Sequence, residues 1–259
     1  MKSLKTLLFF ISFFTVIPCA HAQIWQVNEL DSLQKVLDSA QAGDEIQLAP
    51  GRYAGNFIIN RPVTLSGKDA ILDAQGVGHG LLINAENVTI DKLHFVNWGD
   101  NLTDENSGIY SDKNSNHIVI KNCLFEGPGF GIWLEGGEHN KILNNTVIGN
   151  DQMRSADRGN GIQISNMKNT EVKGNDISKT RDGLYVISST NNTLANNTVH
   201  DLRYGIHYMY SYHNKILNNY AYNTRAGYAM MNSRHLEIRG NVTENSLDYG
   251  FLINFIIYS

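Results

Sequence analysis

RYGIHYMYSYHNKILNNYAYNTRAGYAMM, Arg203–Met231, holds one full period of this chain and the start of the next. An Arg-x-Gly triplet opens at 203 and again at 225, and between them an apolar pair, Ile216-Leu217, runs into two asparagines. Glycines followed by alternating residues recur at 80, 108, 131, 161, 183, 205, 227 and 250, with spacings of 28, 23, 30, 22, 22, 22 and 23. A second series, apolar residues ending in asparagine, keeps the same phase through Asn122, Asn145, Asn175, Asn197, Asn219 and Asn241. Two short strand patterns per unit, with no helical periodicity, specify a solenoid in which each unit makes one coil. The expected class is all-β, a right-handed parallel β-helix of roughly 22-residue coils stacked about 4.8 Å apart, with the hand taken from precedent. Asn and Gly are expected at turns that require positive φ.

Alternation assigns the faces. In GIQIS, Ile162 and Ile164 point inward and Gln163 and Ser165 outward, and the 22-residue step carries this along the chain. Leu184, Val186, Ile206, Tyr208, Tyr228 and Met230 are then inward. Tyr185, Ile187, His207, Met209, Ala229 and Met231 are outward, as are Trp133 and Glu135 one coil earlier. Met209 and Met231 stack on the water-facing side, His207 shares that face, and His213 stacks on His235 along the following turn. Methionine can pad a surface, and histidine often occupies a turn. Two stacked pairs within two coils point instead to soft metal ligands, with thioether and imidazole together favouring Cu(I) over zinc, calcium or magnesium. The candidate ligands are Met209 and Met231, with His207, His213 or His235 completing the site. Arg181, Arg203 and Arg225 form another column 22 apart. Stacked like charges repel, so the column calls for anions, whether local ones such as Asp182 or Asp201, a uronate or an acidic protein surface, and it is read as a docking stripe for an acidic partner surface.

Two stretches break the period, WGDNLTDEN from Trp98 and GNDQMRSADRGN from Gly149. Insertions leave a solenoid at its turns, which makes both candidate rims of a binding site. Residues 28–40, NELDSLQKVLDSA, place Leu30, Leu33, Val36 and Leu37 on one helical face, with Asn28 as N-cap and Gly43 as stop, and this helix is expected to cap the core. Residues 1–22 read as a secretory leader, basic at Lys2 and Lys5, apolar from Leu7 to Val16, with Ala20-His21-Ala22 as cleavage site. Its apolar run is too short to span a bilayer. The domain is then 23–259, exported and not itself membrane-spanning, and with its last coil unfinished it reads as C-terminally incomplete. Without the leader, 19 basic residues face 25 acidic ones, a formal charge of −6, which argues against a nucleic-acid partner. Cys123 is then the one cysteine, expected as a buried small hydrophobe.

The coil pattern resembles the carbohydrate-binding and sugar-hydrolase (CASH) repeat, which alone says little about function. RYGIHYMYS followed by RAGYAMMNSRHLEIRGN is narrower, and is similar to the NosD family. The resemblance implies a periplasmic accessory protein, not an enzyme, that handles copper for maturation of nitrous oxide reductase in denitrification. Its implied partners are an ABC transporter membrane subunit, nitrous oxide reductase and a copper chaperone. The rival class is a uronate lyase or C5-epimerase on the same fold, for which outward Trp133, Tyr185 and the arginines suit a sugar groove. Against it, no stacked acidic column able to hold calcium and no Asp-Pro-His motif is present. A structural, adhesin-like solenoid is a third reading.

Overall fold

In a computed structural model, which describes residues 22–112 and 116–259, the chain winds into a parallel β-solenoid. The leader reading falls on residues that, Ala22 apart, lie outside those described. Each regular coil lays one strand in each of three parallel files. The first file runs from Ile24–Val27 to Glu237–Arg239 and the second from Gly51–Ala54 to Val242–Glu244. The third carries the glycine-led strands Phe130–Glu138, Ile162–Lys168, Asp182–Ile187 and the ends of Thr198–Met209 and Tyr220–Met231. Among the described residues, no helix is long and apolar enough to cross a membrane.

Register bears out the face assignment. Ile162, Leu184, Ile206 and Tyr228 pair in succession and are almost fully buried, while Gln163, Tyr185, His207 and Ala229 form the adjacent ladder. Expected exposure differs, however: Gln163, His207 and Ala229 point away from the core yet are buried. Neighbouring coils flank each rung, and over Gln163 and His207 both insertion loops contribute to the wall.

Asparagine and glycine do occupy positive-φ corners, as expected, but the phase-setting members of both series, Asn122 apart, do not. A Cβ on Gly205 would meet the Gly227 carbonyl oxygen at 2.4 Å, and one on Gly183 the Gly205 oxygen at 2.6 Å. The phase-setting glycines therefore permit close approach of successive coils, and their φ is not positive. In each Asn-Asn pair the first residue takes the left-handed conformation, as Asn144, Asn196 and Asn218 do at φ of 54, 53 and 52°. The second turns inward. Asn145, Asn175, Asn197, Asn219 and Asn241 form a ladder in which each Nδ2 donates to the next Oδ1 at 2.9–3.0 Å, satisfying amides that would otherwise be buried unpaired. Asn122 belongs to the left-handed set (φ 54°), and Cys123 stands at the head of the ladder, its N–H donating to Asn145 Oδ1 at 3.0 Å.

Cys123 is 2% exposed, and burial pushes its thiol up to about 12. It is thus a packing residue, as expected, with little thiolate at neutral pH. A thiol reagent should label it only at the rate of unfolding; prompt labelling of the native protein would contradict this burial.

The helix spans Leu33–Ser39 with Ser32 at its N-cap, four residues later than the sequence suggests. Asn28 instead accepts from the Leu30 N–H in a turn, so Leu30 is 92% exposed. Leu33 and Leu37 join the core.

Candidate functional site

Both period-breaking loops border one cleft of about 450 Å³, lined by Leu102, Phe130, Arg158, Asn160, Gln163, Arg181, Asp182, Tyr185, Arg203, His207 and Met209. Arg158 anchors the second loop: its guanidinium donates to the carbonyls of Met153, Lys179 and Asp151 at 2.6–3.1 Å. A wider groove of about 730 Å³ continues along Arg181, Arg203 and Arg225.

Asp182 is the centre of the arrangement. It opens the strand Asp182–Ile187 and its side chain is 2% exposed. Arg203 binds it in a fork, Nε to Oδ1 at 2.8 Å and Nη2 to Oδ2 at 2.7 Å, and His207 Nδ1 lies 2.9 Å from Oδ2. Burial alone would raise the carboxyl, but the hydrogen bonds from His207 and Arg203 and the guanidinium charge outweigh it and hold Asp182 below the ordinary value of 3.8. A carboxylate accepting at Nδ1 fixes the proton there and leaves Nε2 as the lone-pair nitrogen. That Nε2 is buried and has no hydrogen-bond partner. Tyr185 lies tilted against the ring at 4.8 Å, and Tyr204 makes a T-shaped contact with it at 5.2 Å.

Met209 follows His207 by two residues on the same face, and the Tyr185 hydroxyl donates to its sulfur at 3.3 Å. Met231 pairs in register with Met209 and is likewise half-buried. The structure therefore brings His207 and Met209 to one cleft, with Met231 the next rung. His213 and His235 stack as expected, with centroids 4.6 Å apart and planes within 4°, but at exposed left-handed corners (φ 56 and 53°) beyond the turn. His117 and His139, stacked at 5.3 Å, sit at equivalent corners and are likewise 22 residues apart, so the same count that pairs His213 with His235 also pairs them. Among the described residues, no three His, Cys, Asp or Glu side chains converge as a metal site. A buried, carboxylate-oriented imidazole beside a thioether suits a soft monovalent ion better than a hard one.

The arginine column is real: the Arg203 N–H donates to the Arg181 carbonyl at 2.9 Å, and strand register, with Leu202 opposite Thr224 and Tyr204 opposite Ala226, sets Arg225 beside Arg203. Local neutralisation accounts for two members, Arg203 through Asp182 and Arg225 through Asp248 at 2.5 Å. Arg181 has no carboxylate partner among the described residues. The sequence offers Asp182 only as a possible counter-charge, because its link to His207 is a contact between residues 25 apart.

Comparison with solved structures gives the fold. A pectate lyase, Pel9A, superposes with a TM-score of 0.67 at 13% identity, over 91% of this chain and 78% of that one. A Dettilon tailspike protein gives 0.62 at 17% identity, over 83% and 54%. Sequence comparison is narrower. A probable ABC transporter binding protein NosD of Pseudomonas aeruginosa is 41% identical over 138 residues, covering 52% of this chain and 32% of the relative. Its counterpart in Stutzerimonas stutzeri is 36% identical over 138 residues, covering 53% and 32%. The matched region thus spans about a third of these relatives' length. A family model described as periplasmic copper-binding protein (NosD) matches residues 70–156 and 149–259, a span that holds the whole cleft. On that match, over well more than half its length, the chain belongs to the NosD family.

Proposed function

We propose that this chain handles Cu(I) in the periplasm, without a catalytic centre of its own, for maturation of the copper sites of nitrous oxide reductase. It works beside an ABC transporter membrane subunit and receives the ion from a copper chaperone. The observation that carries this reading is His207, whose Nε2 is buried and unpartnered while Asp182 holds Nδ1, with Met209 on the same face. His207 Nε2 and Met209 Sδ would hold the ion, and Met231 on the next rung offers a second thioether. Bound there, Cu(I) is a soft Lewis acid that can exchange thioether and imidazole ligands. Asp182 keeps the imidazole in the ligating tautomer, and the Tyr185 hydroxyl holds the Met209 sulfur until it is needed. His213 and His235 remain for a second site at the corner.

The test is anaerobic competition with a chromogenic Cu(I) chelator. Met209→Ala with Met231→Ala should fold as the parent does and lose roughly 100-fold or more in Cu(I) affinity, with zinc binding little changed. His207→Ala should lose a comparable factor, and His213→Ala much less. Parental Cu(I) affinity in the double variant and in His207→Ala would remove the ligand assignment. Pectate and alginate incubated in parallel should give no unsaturated product and no change in uronate composition; either one would favour the lyase or epimerase reading.

A further inference from the structure

The cleft carries a charge opposite to that of the chain. The sequence is acidic, with a net charge of −4, yet three guanidiniums and one carboxylate line this cleft, a surplus of two positive charges with histidine counted neutral. Asp182 cannot serve all three, because both its oxygens are taken by Arg203 and His207. Asp201, in the adjoining groove, is held by His200 at 2.7 Å and by Asn223 at 3.1 Å. Arg158 spends its donors on backbone carbonyls, which fix its position and leave its charge without a bound carboxylate. Arg181 is half-buried beside it and has no side-chain partner among the described residues.

We propose that Arg158 and Arg181 form a subsite for a carboxylate-bearing organic ligand, and that occupancy of this subsite and binding of a soft cation at His207 and Met209 strengthen each other. The subsite stands on the charge and geometry above; the coupling rests on the copper reading of the same cleft. Arg181 presents paired donors matched to a carboxylate, and Arg158, its donors already committed to carbonyls, adds its charge. Leu102, Phe130 and Tyr185 supply apolar wall for an organic body, and about 450 Å³ lies within the range of small-molecule sites. That room exceeds what acetate needs and suits a sugar acid. A cation entering the cleft meets two uncompensated charges, and a bound carboxylate removes much of that repulsion. The resulting coupling must be reciprocal.

The experiment uses the full chain, first metal-free. Calorimetric titration with acetate and with galacturonate separates a bare carboxylate from a sugar acid. Galacturonate should bind at least tenfold more tightly than acetate, Arg181→Gln should weaken it by about tenfold or more, and Arg181→Lys should restore part of the loss. Among the described residues Arg181 donates no side-chain bond, so Arg181→Gln should keep the parental unfolding midpoint. Cu(I) competition is then repeated with and without saturating galacturonate, and affinity should rise about fivefold or more in the parent and not in Arg181→Gln. No binding by the metal-free parent, or equal binding by Arg181→Gln, overturns the subsite whatever copper does. Carboxylate binding without any change in Cu(I) affinity overturns the coupling. Failure of the parent to bind Cu(I) refutes the copper reading and the coupling, while the metal-free titration still decides the subsite.

Discussion

Replacing Asn197 with alanine should destabilise the protein by about 3 kcal/mol. Asn197 is 1% exposed. Its Oδ1 accepts from the Asn175 N–H at 3.0 Å and Nδ2 at 2.9 Å, and its Nδ2 donates to the Val172 carbonyl and to Asn219 Oδ1, both at 2.9 Å. Alanine leaves the Asn175 N–H without an acceptor in a dry interior, and also weakens the rungs on either side. Asn218→Gly is the control. Asn218 is exposed at φ 52°, and Gly240 already fills the equivalent corner of the next coil, so the change should stay within about 0.5 kcal/mol. Urea unfolding of the two variants decides the matter. Equal midpoints would mean that the ladder contributes nothing beyond its neighbours.

Asp182→Asn should cost about 3 kcal/mol at pH 7, since it leaves the partly buried Arg203 without its counter-charge. The pH dependence gives a sharper signature. Because the folded carboxyl lies below its ordinary value of 3.8, its contribution is fully present above that pH. It is lost as pH falls through the folded value, where the native carboxylate itself takes up a proton. The gap between parent and Asp182→Asn should therefore shrink as pH falls below the ordinary carboxyl range. A gap that stays the same into strong acid would assign the loss to shape and not to charge. The same variant should bind Cu(I) about 10- to 100-fold more weakly, because the carboxylate sets the imidazole tautomer.

The 22-residue phase, the two faces and the stacking of Met209 on Met231 were legible in the sequence, because each follows from strand alternation repeated at constant length. Such regularity is one-dimensional: neighbours in the stack are determined by counting. The role of each asparagine was not legible, since Asn218 and Asn219 are identical in type, and only the direction of the chain at the corner sends one outward and the other into the ladder. The capping helix was recognised, but its first turn was not, because Asn28 satisfies its turn with either geometry.

What the sequence by itself determined was a parallel β-helix whose outward side carries Met209, Met231, His207 and an arginine column at fixed rungs. Only the tertiary structure decided that His207 is buried, that Asp182 binds both it and Arg203, that His213 and His235 stand apart at the corner, and that Arg181 is left over. The reason is physical. Strand register follows from the period, but loops of irregular length around Leu102 and Arg158 reach across coils, and where they close over a face depends on packing that no repeat length encodes.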